Sequence, residues 1–258
     1  MRKNLMAFCV IGLLVLGGCG RSNEKVEEQG QASSEPGQVA DVANGATISG
    51  KVNFAGEKPV LREIDFSANP ACQKMHSGPV HSEEVVLNGN GTLANAFVWL
   101  KEGVAAGRWT PPSKTVVDQK DCMYKPHVLG VMVGQPVEFR NSDDTNHNIH
   151  PMPQKNQEWN ESEPPKEQGK MKVFDREEVM IPVKCNIHPW MRAYIGVVRH
   201  PFFAVTGEDG TFTLKGVPPG NYTIEVWQEK YGTQDVKVTV AAKDNKIVDF
   251  TLGASRAR

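Results

Sequence analysis

Cys185-Asn186-Ile187-His188-Pro189-Trp190-Met191 places a thiol, an imidazole and a thioether within one stretch of seven residues. The apolar run at residues 180–183 comes directly before it and predicts a strand that ends where this loop begins. A loop of that length can fold its three donor groups around one ion. The stretch therefore predicts a metal site with soft ligands, to which another part of the chain adds a further donor.

A second histidine completes this donor set. His147 lies in Asp144-Thr145-Asn146-His147-Asn148, after a predicted strand at residues 136–140. Two histidines and a thiolate with a long, weak axial methionine form the ligand set of blue-copper sites. A lone buried cysteine or methionine is usually a core residue, but the joint spacing in this loop argues against that reading. We therefore expect one type 1 copper ion, with the ligands His147, Cys185, His188 and Met191.

The chain around these ligands resembles the first half of a plastocyanin or amicyanin domain, a cupredoxin. The residues that carry the resemblance are Pro126-His127-Val128, Val131, Val133-Gly134-Gln135, Val137, Phe139, Asn141, Asp143 and His147-Asn148. The Cys-x-x-His-x-x-Met loop closes the resemblance, which covers residues 125–199 and is closer to amicyanin in its short spacing.

This resemblance implies copper binding and electron transfer. In the related proteins the downstream histidine, here His188, is near the surface and would be the exit path of the electron. Asn148 directly after His147 fits the family pattern, so we expect His150 to lie behind the ligands or at the surface. Trp190 is expected to pack beside the copper loop and to limit water there.

Short apolar-alternating segments separated by Gly, Pro, Asn and Asp predict an all-β chain, because helices would show a 3.6-residue period. The candidate strands are residues 47–54, 84–87, 96–100, 128–133, 136–140, 178–183, 194–198, 211–214, 222–228, 236–240 and 247–252. No long helix is expected.

The tail of the chain predicts a second β-sandwich. Within residues 207–227, Asp209-Gly210 precedes one alternating strand and Pro218-Pro219-Gly220 precedes the next, which places turn residues at each bend. These residues resemble the carboxypeptidase regulatory-like, or transthyretin-like, β-sandwich. Segments that match the opening strands of that family occur far upstream, at residues 46–52 and 93–99.

This separation suggests that one domain is inserted into the other. We expect residues 47–110 and 201–253 to form the carboxypeptidase regulatory-like sandwich, and residues 111–200 to form the cupredoxin Greek-key sandwich. The alternative is three consecutive units without insertion.

The first residues have the pattern of an export signal. Arg2-Lys3 precedes an apolar run too short to span a bilayer, which ends in Leu16-Gly17-Gly18-Cys19. This ending resembles the bacterial lipoprotein processing site, so residues 1–18 are predicted to be removed and Cys19 to carry lipid; an ordinary secretory signal is the alternative. Residues 19–46 lack apolar content and predict a flexible tether. We expect a lipid-anchored protein on the periplasmic or cell-surface side of a bacterial membrane, the outer membrane in a Gram-negative host.

Two cysteines, Cys72 and Cys122, lie outside the leader, the lipidation site and the copper pattern. Because an exported protein meets oxidising conditions, we expect these two residues to form a disulfide. The alternative is a second metal site built from Cys72, His76 and His81.

The charge balance and the motifs exclude some classes of function. The 29 basic and 30 acidic side chains give a net charge of −1, without the concentrated basic surface that nucleic-acid binding needs. A type 1 centre offers a substrate no open position, and no nucleophile elbow or paired carboxylates are recognisable, so an enzyme is not expected. The sequence favours a one-electron carrier between envelope redox partners, a cytochrome or another copper protein. The alternative is a copper-binding, carbohydrate-binding or protein-binding envelope lipoprotein without an electron-transfer role.

Residues 153–173 separate His147 from Cys185 and are rich in Gln, Asn, Glu, Lys and Pro. A segment of this length and composition forms either a flap over the site or a solvated loop. Both possibilities stay open from the sequence.

Overall fold

A computed structural model describes residues 44–107 and 109–253. The described chain is almost entirely β-structure, with one four-residue helix, α1 (Pro70–Gln73), so the predicted all-β class is confirmed. No helix in this part of the chain has the length and apolar content needed to cross a membrane. The predicted leader at residues 1–18, Cys19 and nearly all of the tether at residues 19–46 lie outside the described residues.

The strands alternate with short turns along the whole described chain. In order they are β1 (Ala46–Phe54), β2 (Val86–Leu87), β3 (Leu93–Ala94), β4 (Phe97–Glu102), β5 (Thr115–Lys120), β6 (Met123–Lys125), β7 (Val128–Met132), β8 (Pro136–Asn141), β9 (His147–Pro151), β10 (Glu161–Glu163), β11 (Lys170–Val173), β12 (Glu178–Lys184), β13 (Arg192–Val198), β14 (Phe203–Val205), β15 (Thr211–Val217), β16 (Gly220–Gln228), β17 (Gly232–Val240), β18 (Asn245–Ile247) and β19 (Phe250–Leu252).

Two sheets from the middle of the chain form what we call the central sandwich. One sheet has the order β10-β9-β12-β13-β7 and the other has the order β11-β8-β5-β6. Alternate residues of these strands point inward, as period-two patterning requires. Their apolar side chains share one core, which includes Val117, Phe139, Ile149, Ile181 and Ile195. This core lies directly beneath the predicted ligand loop, between β12 and β13.

Two further sheets form the flanking sandwich. In one, β1 pairs with β15, β18 and β19; in the other the order is β14-β4-β16-β17. Both sheets contribute to a single core, with Ile48, Leu100, Phe212 and Phe250 among its members. Strands that precede the central sandwich in sequence therefore pair with strands that follow it. The domain boundaries expected from the sequence stay predictions.

Aromatic side chains join the two sandwiches. Gly130 of β7 and Gly196 of β13 are register partners in neighbouring strands, and together they leave a flat patch on the sheet. The rings of Phe97 and Phe203, from the flanking sandwich, stack on each other at 5.8 Å and pack onto this patch. Phe97 is fully buried in this small apolar cluster, which also contains Met180.

Two sequence-based expectations need correction here. The segment at residues 153–173 is neither a free flap nor a solvated loop throughout, because β10 pairs with β9 and β11 pairs with β8. The strand expected at residues 247–252 is two short strands, β18 and β19. The chain breaks between them, since the side chain of Asp249 accepts the N–H of Lys51.

Residues 63–80, which we call the cap segment, connect β1 to the rest of the chain without entering either sandwich. The segment contains α1 and is fixed to the central sandwich by the disulfide between Cys72 and Cys122, which confirms the predicted pairing. Since Cys72 is bonded to Cys122, the alternative of a second metal site at Cys72, His76 and His81 is not supported.

Candidate metal centre

The predicted ligand loop closes the hairpin between β12 and β13. Lys184 and Arg192 are register partners at its base. Inside the loop the N–H of Cys185 donates to the carbonyl of Met191 (3.2 Å), and the N–H of Met191 donates to the carbonyl of His188 (2.9 Å). The N–H of His188 points at the Cys185 sulfur, 3.4 Å away. These bonds fold the loop back on itself and bring its side chains to the same side.

His147, Cys185 and His188 come together in one buried cluster. Their donor atoms all lie within 4.8 Å of one another, and the three side chains are 0%, 2% and 1% exposed. The Nδ1 atoms of the two histidines are 2.9 Å apart, and the Cys185 sulfur is 3.8 Å from Nδ1 of His188. A thiolate and two imidazole nitrogens converging on one point are suited to copper or zinc. The donor set therefore fits the metal that the sequence implies.

Met191, the fourth predicted ligand, is fully buried and belongs to the same core cluster as Cys185. Its backbone helps to close the loop, as described above. Its role as an axial ligand stays a prediction.

Hydrogen bonds to the two histidines favour a thiolate at Cys185. Burial alone raises the pKa of this thiol, but hydrogen bonds with His147 and His188, together with backbone bonds, outweigh burial and lower the pKa to about 6. At neutral pH the side chain is therefore mostly the thiolate, the form that binds a metal ion.

Asp143 fixes the ring of His147 from behind. Its Oδ2 atom lies 2.9 Å from Nε2 of His147, on the side of the ring opposite Nδ1. The same carboxylate accepts the backbone N–H groups of Asp121 (2.7 Å) and Cys122 (2.8 Å). Burial favours a raised pKa for Asp143, but these bonds outweigh it and lower the pKa, so the group is a carboxylate. Cys122, Asp143 and His147 also form a compact group, but the Cys122 sulfur is held in the disulfide.

Asn148 connects the two segments that supply the ligands. Its Oδ1 atom accepts the N–H of Asn186 (2.6 Å) and lies 3.3 Å from the Cys185 sulfur. Its Nδ2 atom donates to Asn160, and its carbonyl accepts the hydroxyl of Tyr124. Asn148 thus connects the ligand loop to β9. It is also paired with Ser162 of β10.

His188 is 1% exposed, so the expectation that its ring lies near the surface is wrong. Its Nε2 atom lies 3.6 Å from the sulfur of Cys72, so the cap segment and its disulfide cover that edge of the ring. Trp190 packs against His188 at 5.1 Å, as predicted, and donates through its indole N–H to the carbonyl of Cys122. The part of the loop that remains exposed is at Asn186, Ile187 and Pro189.

The other histidines lie outside the donor cluster. The ring of His150 is hydrogen-bonded through Nδ1 to the Asn186 side chain (3.2 Å) and through Nε2 to the Glu158 carboxylate (2.7 Å). His150 therefore borders the ligand loop but does not belong to the donor cluster. His127 bridges the carbonyl of Arg192 and the carboxylate of Glu229. His200 lies 2.9 Å from the carbonyl of Leu100.

Comparison with known proteins gives one family match. The carboxypeptidase regulatory-like domain model matches residues 192–253, a tail segment that begins in β13, upstream of the boundary expected at residue 201. No curated protein matches the sequence of this chain.

Solved structures similar to part of the chain include copper proteins. A Cu-containing nitrite reductase (NirK) from Thermus scotoductus SA-01 is 24% identical, with a TM-score of 0.31, over 37% of this chain and 25% of that one. A mutant of amicyanin in the Cu(I) form is 24% identical, with a TM-score of 0.29, over 38% of this chain and 99% of that one. A purple cupredoxin from Nitrosopumilus maritimus is 21% identical, with a TM-score of 0.28, over 33% and 98%. The chain thus spans about a quarter of the length of the nitrite reductase, and its tail matches a carboxypeptidase regulatory-like domain.

Proposed function

We propose that this chain is an exported, lipid-anchored type 1 copper protein that carries one electron at a time between redox proteins of the cell envelope. The observation that supports it is the convergence of His147, Cys185 and His188 in one buried cluster. A thiolate and two imidazoles suit copper, and Met191 lies buried on the same loop.

The chain's own residues hold the donors in place before any ion binds. The Nδ1 atoms of His147 and His188 and the sulfur of Cys185 would hold the metal, together with Met191, the fourth predicted ligand. Copper bound there would supply a one-electron couple between Cu(I) and Cu(II). Asp143 and Asn148 fix the ligand-bearing segments, so the donors would move little between the two oxidation states.

Burial of the cluster favours electron transfer over catalysis. The three donor side chains are almost completely buried, and Trp190 and Cys72 close the side of His188. A substrate needs an open position at the metal, whereas an electron needs only a short path. We therefore propose a carrier and not an enzyme.

The location and the membrane anchor are also proposals. They depend on the export pattern at residues 1–18 and on Cys19. A carrier tethered on the periplasmic or cell-surface side would meet a cytochrome or another copper protein there.

Optical and electron paramagnetic resonance spectra of residues 20–258 loaded with Cu(II) test the proposal. We expect an intense visible thiolate-to-copper band and a narrow copper hyperfine splitting, because a short copper–thiolate bond produces both. Cys185→Ser should abolish both features. His150→Gln is the matched control, since His150 borders the loop without joining the cluster, and it should keep them.

Reversible voltammetry then separates a carrier from a copper store. A carrier shows one reversible one-electron wave and exchanges electrons rapidly with a cytochrome. Copper that binds without the type 1 spectrum, or a spectrum that survives Cys185→Ser, would overturn the proposed ligand set.

A further inference from the structure

The His188 ring has no exposed edge that a partner protein could touch. The Nε2 atom of that ring lies 3.6 Å from the Cys72 sulfur, and the side chain is 1% exposed. A partner protein therefore cannot contact the ring directly. It can contact the cap segment that covers the ring.

A series of aromatic rings in contact leads from His188 into the cap segment. The ring of Trp190 lies 5.1 Å from that of His188, and Phe66 lies 5.1 Å from Trp190 in an edge-on arrangement. Phe66 in turn stacks on His76 at 4.6 Å. Trp190 is fixed by its bond to the carbonyl of Cys122, so the order of rings is held by the disulfide-linked segment. These contacts connect the His188 ring to the cap segment through packed side chains.

The last rings of this series lie at a surface groove. Phe66 and His76 line a cavity of about 450 Å³ together with Glu63 and Asp65. Among the described residues that line it there is no lysine or arginine. Both carboxylates are exposed, so they are available to cationic groups that approach the groove.

We propose that a redox partner with a basic contact surface docks at this groove, and that the electron reaches it from His188 through Trp190 and Phe66. This inference depends on the proposed function. In the step, bound copper(I) is oxidised to copper(II) and the partner's acceptor gains the one electron; no proton or bond is exchanged. Lysine or arginine side chains of the partner would pair with Glu63 and Asp65, which raises the rate of encounter at low salt.

Stopped-flow oxidation of the copper(I)-loaded chain by small reagents tests the route. A cationic oxidant, the cobalt(III) tris-phenanthroline complex, should be attracted to the carboxylates of the groove and react there. The carboxylates should repel anionic ferricyanide, so its oxidation rate should not depend on the groove in this way. Replacing both carboxylates, Glu63→Gln with Asp65→Asn, is expected to slow the cationic oxidant by at least about threefold at low salt. The control Glu208→Gln removes an exposed carboxylate from the flanking sandwich and should leave the rate unchanged.

Changes at Phe66 test the aromatic chain separately from charge. Phe66→Leu should slow the cationic oxidant by a factor similar to that of the carboxylate pair, whereas Phe66→Tyr keeps the ring and should keep the rate. Both variants must retain the type 1 spectrum, which shows that the site is intact. Equal rates for all these variants would overturn the route.

A binding measurement on the metal-free chain is independent of the copper chemistry. Hexaamminechromium(III), a paramagnetic trivalent cation, should broaden the nuclear magnetic resonance signals of Phe66 and His76, and the double carboxylate variant should lose this effect. Broadening confined to other surfaces would overturn the docking site. If the type 1 spectrum is absent but the broadening is present, the proposed function fails while the cation-binding groove stands.

Discussion

The Nε2 atom of His147 and the Oδ2 atom of Asp143 lie 2.9 Å apart, and both side chains are buried. Because an ionised carboxylate only accepts hydrogen bonds, Nε2 of His147 carries the proton and donates a hydrogen bond to Asp143. Nδ1 is then the ring atom left free to bind a metal ion. A single carboxylate thus fixes the tautomer and the orientation of one predicted ligand.

Asp143→Asn is expected to weaken copper binding by about 10- to 100-fold, because the amide is a poorer acceptor and no longer fixes the tautomer. Competition with a chelator of known copper(I) affinity measures the change. Asp144→Asn is the matched control. Asp144 is the next residue in the chain, its side chain is 82% exposed, and its ion pair with Lys166 lies at the surface. Equal affinities for the two variants would show that Asp143 does not support the site.

The disulfide is expected to stabilise the fold through the long loop that it closes. Cys72 and Cys122 are 50 residues apart, and a loop of this length predicts a contribution of about 4 kcal/mol. Cys72→Ala combined with Cys122→Ala should lower the free energy of unfolding by about that amount in guanidinium chloride. Adding dithiothreitol should destabilise the parent chain similarly and leave the double variant unchanged. A loss below about 1 kcal/mol would contradict the expectation.

The ligand cluster was predictable from the sequence because its chemistry is concentrated. Cys185, His188 and Met191 share one loop, and His147 follows a recognisable strand. The structure brings the two histidines and the cysteine together, and the two remaining cysteines pair, as was expected from their number and from the predicted export. Local spacing was enough for the loop residues, whereas His147 and the disulfide were expected from the family pattern and from the cysteine count.

The cover over His188 could not be predicted, because it depends on contacts between distant parts of the chain. Cys72 is 116 residues from His188, and no periodic pattern marks residues 63–80. The pairing of Asn160 with Asn148 is hidden for the same reason: a single amide in a polar segment carries no local signal.

Strand β5 was missed for a different reason. Its inward-facing positions include Gln119, a polar residue that is fully buried and donates to the carbonyl of Arg140. A buried polar side chain breaks the apolar alternation on which strand prediction depends. Its Nε2 group has this backbone partner, whereas its Oε1 atom is buried without a hydrogen-bond partner among the described residues.

Glu178 is expected to stabilise the chain segment that follows β9. Its carboxylate accepts the backbone N–H groups of Gln154 (2.5 Å), Lys155 (3.0 Å) and Asn156 (3.0 Å). Burial favours a raised pKa for this group, but these bonds outweigh it and lower the pKa below its usual value. Glu178→Gln should therefore reduce the free energy of unfolding at pH 7 by about 1.5–3 kcal/mol.

The sign of the pH dependence follows from the lowered pKa. The contribution of Glu178 is complete above the unfolded-state pKa, about 4.3, and is lost as the pH falls through the lower folded-state value. Urea unfolding at pH 7, 5 and 3 should show the gap between parent and Glu178→Gln narrowing at the lowest pH. The control Glu208→Gln removes an exposed carboxylate and should change the free energy of unfolding by less than about 0.5 kcal/mol at each pH. A gap that widens towards pH 3 would contradict the assignment.

The contact between the two sandwiches is expected to depend on the absence of a side chain at Gly196. A Cβ atom there would lie 2.5 Å from the end of Met180 and 2.7 Å from the ring of Phe97. The methionine end can move aside, but the Phe97 ring is fully buried and cannot, so Gly196→Ala should destabilise the chain by about 1–3 kcal/mol in chemical denaturation. Gly78→Ala is the control, because a Cβ atom at that position meets nothing within 4 Å. Equal stability of the two variants would mean that Phe97 does not pack tightly on β13.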